Sequence, residues 1–79
     1  MKSVNIKLST IEDIRSFIAL LTKYTSVDLD LKSGRYTVDA RSIIGIFSLD
    51  LVKPVELIIN SDDAKVVDGV LADVKAWIV

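Results

Sequence analysis

The stretch Arg41-Ser42-Ile43-Ile44-Gly45-Ile46-Phe47-Ser48-Leu49 decides how this chain is read. Its apolar residues do not alternate with polar ones, as they would in a strand with one buried face. Ser42 stands ahead of them as an N-cap, a position that favours a short hydroxyl side chain. The run therefore predicts a short helix. Gly45 argues against a long one, because glycine disfavours a helix interior by roughly 1 kcal/mol relative to alanine. One short helix cannot bury Ile43, Ile44, Ile46, Phe47 and Leu49 together.

On the N-terminal side, Tyr36, Val38 and Ala40 alternate with Thr37, Asp39 and Arg41, and Val27, Leu29 and Leu31 alternate with Asp28, Asp30 and Lys32. Period two marks two strands. Ser33-Gly34 joins them in a hairpin, with Gly34 the residue suited to positive φ. Further back, Ile11, Ile14, Phe17, Ile18, Leu21 and Tyr24 recur at helical spacing and predict a helix over about 11–24. Ser9 and Thr10 are its caps, each with a carboxylate three residues on (Glu12 and Asp13), the spacing of a capping box. Val4, Ile6 and Leu8 alternate with Asn5, Lys7 and Ser9 in a first strand.

On the C-terminal side, Pro54 opens a strand rather than sitting inside one. Val55, Leu57 and Ile59 line one face of that strand, and Ile58 shares the other with Glu56 and Asn60. Ser61-Asp62-Asp63 starts a last helix, with Val67, Val70, Leu71, Val74 and Ile78 on its apolar stripe and Trp77 at the edge. The order β-α-β-β-α-β-α predicts an α+β fold, with three helices on one face of a four-stranded antiparallel sheet.

Seventy-nine residues, 51% of them apolar, fit one small domain over 1–79. Ten basic and eleven acidic side chains give a net charge of -1, which offers no electrostatic case for nucleic acid. There is no histidine and no cysteine, so imidazole and thiol chemistry are excluded, and a zinc or haem site has no ligands to build on. Polar residues interrupt every apolar run near the N-terminus, unlike a signal peptide. No run reaches the roughly 18 apolar residues of a membrane span. A cytoplasmic protein without membrane insertion is the simplest expectation.

The element order and the Arg41–Leu49 segment resemble the HPr phosphocarrier family of the sugar phosphotransferase system. Its Gram-positive members carry a similar basic-Ser-Ile-x-Gly-x-x-Ser-Leu segment at the start of their second helix. Lys23-Tyr24 and the acidic start at Asp62-Asp63 match further family patterns. The resemblance spans essentially the whole chain and implies an open-faced β-sandwich.

Members of that family that carry phosphate open their first helix with His-x-Arg-Pro, and the histidine takes the phosphoryl group. Counting back from Phe17 and Tyr24 without gaps puts Thr10 at the histidine position, Glu12 at the arginine and Asp13 at the proline. Two carboxylates then stand where a helix N-terminus would otherwise favour a phosphate. The resemblance also implies roles for other residues. Ser42 falls at a serine that a dedicated kinase phosphorylates, after which a regulator of catabolite repression binds. Arg41 could pair with that phosphate, and Ile44 and Phe47 correspond to an apolar patch on which partners dock.

Each role has a plainer counterpart. Ser42 is an N-cap in any helix here. Ile44 and Phe47 could be core. Thr10 with Glu12 and Asp13 could be imagined as a nucleophile with carboxylate bases, or simply as a capped helix start. Asp28, Asp30 and Asp39 lie on the solvated side of a hairpin and would bind a hard cation only by converging with other ligands. No cofactor is implied.

Three readings follow. The first is a non-catalytic, HPr-like regulatory or interaction module controlled through Ser42, with an HPr kinase or a catabolite regulator as partner. The second is a phosphocarrier component using another acceptor. The third is a structural or assembly module, a homodimer formed by exchange of the first strand.

Overall fold

In the computed structural model, which describes residues 1–79, the chain forms four strands and three helices. In order they are β1 (Lys2–Ile6), α1 (Ile11–Leu21), β2 (Asp28–Ser33), β3 (Tyr36–Asp39), α2 (Ile43–Phe47), β4 (Val55–Asn60) and α3 (Ala64–Asp73), followed by a 3₁₀ turn at Lys75–Trp77. The strands make one antiparallel sheet in the order β1-β4-β2-β3. This is the α+β arrangement that the alternation and helical spacing predict.

The register explains why only one face is covered. Val4 pairs with Leu57 and Ile6 with Val55, while Leu29 and Leu31 pair with Ile59 and Leu57 across the other side of β4. These side chains share one face, because successive residues of a strand point to opposite sides. Ile14, Phe17 and Leu21 of α1, Ile46 of α2 and Val70 of α3 are buried with them. The opposite face carries Ser3, Asn5, Asp28, Lys32 and Asn60 and is open to solvent, with Ile58 half-buried among them. No polar side chain is buried, so the core is held by apolar packing.

Gly34 turns the β2–β3 hairpin at φ 58, as expected of a glycine there. Gly45 serves a different purpose. A Cβ on it would lie 3.0 Å from Val38 Cβ and 3.2 Å from Ser42 Oγ, so glycine is what lets α2 press onto β3.

Some element ends differ from the sequence reading. The first helix stops at Leu21, not 24, and Tyr24 N–H donates back to Leu21 O in a tight turn. The third strand stops at Asp39, though Ala40 N–H still donates to Leu29 O. The last helix stops at Asp73. Ile78 leaves the predicted stripe and bridges to Ile6, while Lys7 N–H donates to Trp77 O and Val79 N–H to Asn5 O. The unpaired edge of β1 captures the tail, satisfying backbone groups that a longer helix would have paired internally. Trp77 closes this corner edge-on to Phe17, with ring centroids 5.8 Å apart.

Candidate functional site

The start of α1 is capped from within the chain. Thr10 Oγ1 accepts from Asp13 N–H at 3.0 Å, and Asp13 Oδ2 accepts from Ser9 N–H at 3.3 Å. The capping box closes on Ser9 rather than on the N–H of Thr10 itself. The Asp13 carboxyl is held below its ordinary range. The Trp77 indole N–H is the largest cause; burial opposes it, and Ser9 and Thr10 add smaller contributions in the same direction as Trp77. Glu12 is exposed. The Thr10 hydroxyl therefore takes one of the first helix N–H groups, and the Asp13 charge opposes the phosphate that a helix N-terminus would otherwise attract.

Ser42 is the N-cap of α2 and is half-buried. Its Oγ accepts from Gly45 N–H at 3.1 Å, and its carbonyl accepts from Ile46 N–H at 2.9 Å. Arg41 beside it is engaged elsewhere. Its guanidinium donates to Tyr24 O at 2.6 Å and Val27 O at 2.8 Å, and its backbone N–H donates to Asp39 Oδ1 at 2.8 Å. Arg41 thus ties the α1–β2 loop to the entry of α2.

The five apolar residues of the α2 segment divide cleanly. Ile46 and Leu49 are buried, whereas Ile43, Ile44 and Phe47 are exposed, Ile44 by 81% and Phe47 by 51%. Ile11 at the start of α1 and Val52 after α2 extend the apolar surface. Between them runs a groove of about 470 Å³, walled by Leu8, Ile11, Ile14, Phe47 and Val52. Lys7 lies along it and donates its Nζ to Leu51 O at 2.8 Å. Sequence reading missed Ile11, Val52 and Lys7 as parts of one surface. Ile11 reads as helix stripe and Lys7 as the polar side of a strand, and only the packing of α1 beside α2 joins them.

The acidic residues of the hairpin do not form a cation site. Asp30 lies directly across from Asp39 in the β2–β3 register, but no three acidic side chains converge. Asp30 Oδ2 instead accepts from Asn60 Nδ2 at 3.0 Å. No helix is long and apolar enough to cross a membrane.

No family model and no curated protein matches the sequence. Among solved structures, the crystal structure of HPr-C-His from Thermoanaerobacter tengcongensis superposes with a TM-score of 0.73 at 23% sequence identity. The match covers 96% of this chain and 93% of that one. At that identity the likeness speaks for the fold, and the strand order, the single covered face and the three helices agree with it. A four-stranded open sheet covered on one side by α1, α2 and α3 is the HPr-like fold, and this chain, which contains no histidine, adopts it.

Proposed function

We propose that this protein is a non-catalytic HPr-like interaction module, working in the cytoplasm in connection with the sugar phosphotransferase system. Protein partners dock on the apolar face around Ile44 and Phe47, and Ser42 is the point of control. The observation that carries this reading is the exposure of Ile44 and Phe47 on α2, with the exposed Ile11 and Val52 lining one groove with Phe47. Contiguous apolar surface of this kind marks interaction sites.

Phosphoryl transfer through the α1 start has no support in the residues there. Histidine is absent, Thr10 Oγ1 is spent on a cap, and Asp13 would repel an incoming phosphate. A phosphate on Ser42 would meet the first N–H groups of α2. To recruit Arg41 it would have to compete with the Tyr24 and Val27 carbonyls.

Incubation with an HPr kinase and ATP, followed by mass spectrometry, is expected to place one phosphate on Ser42. The phosphorylated protein is then expected to bind a catabolite regulator by calorimetry, and Ile44→Asp to abolish that binding. A folded protein left unmodified by an active kinase would refute control through Ser42. Binding unaffected by Ile44→Asp would refute the docking face.

A further inference from the structure

We infer that two copies of this chain pair edge to edge through β3, antiparallel and two-fold about Thr37, so that their four-stranded sheets join into one. The pairing is independent of any partner at Ile44 and Phe47.

The sheet has two edges, β1 and β3. The tail closes the first, through the bonds from Lys7 N–H to Trp77 O and from Val79 N–H to Asn5 O. Nothing pairs with the outer side of β3. Ala40 N–H donates to Leu29 O, so Ala40 and, by alternation, Val38 and Tyr36 turn their backbone groups toward β2. The N–H and C=O of Thr37 and the N–H of Asp39 then point outward, without a strand to meet. The Asp39 carbonyl accepts from Ser42 N–H. An open row of this kind is a template for a further strand. The usual protections are missing, since β3 holds no proline or lysine and its register with β2 runs without a bulge.

The sequence Arg35-Tyr36-Thr37-Val38-Asp39 complements itself when reversed. Centred on Thr37, an antiparallel register sets Tyr36 against Val38 and Arg35 against Asp39, each pair occurring twice. Tyr36 is 71% exposed in the single chain, and Val38 beside it is half-buried, so the pairing covers apolar surface. Arg35 is exposed and forms no ion pair within the chain. Asp39 meets Arg41 through Oδ1, which leaves Oδ2 open. Moving the two-fold to Tyr36 or Val38 would set Arg35 or Asp39 against Thr37 and give up both ion pairs. Opposite charges therefore select the register about Thr37. Residues 35–39 alone make the contact, which places it among transient interfaces, below about 1,200 Å².

Sedimentation velocity and ¹⁵N–¹H spectra of the full chain, recorded from about 20 μM to about 1 mM, test the pairing. A dimer is expected with a dissociation constant on the order of 0.1–1 mM, and the amides of Tyr36, Thr37, Val38 and Asp39 are expected to shift with concentration. Thr37→Pro removes an outward N–H without touching the β2–β3 ladder, a change that an edge strand tolerates, and is expected to abolish the dimer. Arg35→Glu, at an exposed turn position, sets acid against acid and is expected to weaken the dimer about tenfold or more. If Thr37→Pro unfolds the chain, Arg35→Glu decides. A chain that stays monomeric at about 1 mM overturns the inference. So does a dimer that Arg35→Glu leaves unchanged. Shifts confined to β1 and residues 75–79 would assign self-association to exchange of the first strand, again overturning it.

Discussion

The Tyr24 hydroxyl donates to Asp73 Oδ2 at 2.5 Å, joining the turn after α1 to the end of α3. Lys23 Nζ reaches the same oxygen at 2.8 Å. Burial first, then the hydrogen bond to Asp73 and its charge, push the Tyr24 hydroxyl up from 10.0 to about 12. Lys23, and then Tyr24, hold the Asp73 carboxyl below its ordinary 3.8, against a cost of burial.

The pH dependence follows from those two directions. Tyr24 is raised, so its contribution is whole below pH 10.0 and is lost as pH rises from there toward about 12. Asp73 is lowered, so its contribution is whole above about 3.8 and is lost as pH falls through its folded value. Urea denaturation at pH 3, 7 and 11.5 is expected to show both losses. Tyr24→Phe is expected to cost about 1 kcal/mol at pH 7. It should also flatten the alkaline limb; an unchanged limb would show that Tyr24 does not titrate with folding.

Arg41 holds two carbonyls of the loop between α1 and β2, those of Tyr24 and Val27. Arg41→Gln is expected to destabilise the fold by about 2 kcal/mol, the scale of hydrogen bonds from a charged donor. Hydrogen exchange in 22–27 should accelerate. Arg41→Lys should recover only part of this, because a single ammonium cannot reproduce the fork of the guanidinium. Unaltered exchange in that loop would contradict the clamp.

Gly45→Ala should destabilise despite alanine's better helix propensity. The new Cβ would press Val38 Cβ at 3.0 Å and the Ser42 cap at 3.2 Å. Overpacking of this kind costs about 1–3 kcal/mol, against a propensity gain of about 1 kcal/mol. A higher midpoint in thermal denaturation would show that α2 is free to shift away from β3.

Ile44 and Ile46, two residues apart, should behave as opposites. Ile46→Ala removes a fully buried side chain and should cost about 2–5 kcal/mol. Ile44→Ser alters a side chain that is 81% exposed and should change stability by less than about 0.5 kcal/mol. Denaturant midpoints of the two variants compare them directly. A large loss for Ile44→Ser would mean that its face is packed rather than open.

The sheet and its buried face were legible in the sequence because their causes are local. Alternation in β1, β2 and β3 and the stripe of α1 assign each side chain to a side before any tertiary contact exists. The caps at Thr10 and Ser42 were legible for the same reason, since each bond spans three residues. The lack of histidine, which excludes phosphohistidine chemistry, needed no structure at all.

Only the tertiary structure decided which of the α2 residues face solvent, because a run of large apolar residues carries no direction until β3 lies beneath it. It also turned Arg41 from a free cation into a clamp on Tyr24 and Val27, residues 17 and 14 positions away. In the same way it drew Ile78 off its helical stripe to Ile6 and set Lys7 beside Phe47 and Val52. Each of these depends on backbone or side-chain partners distant along the chain, and local spacing holds no information about partners that only folding brings within reach.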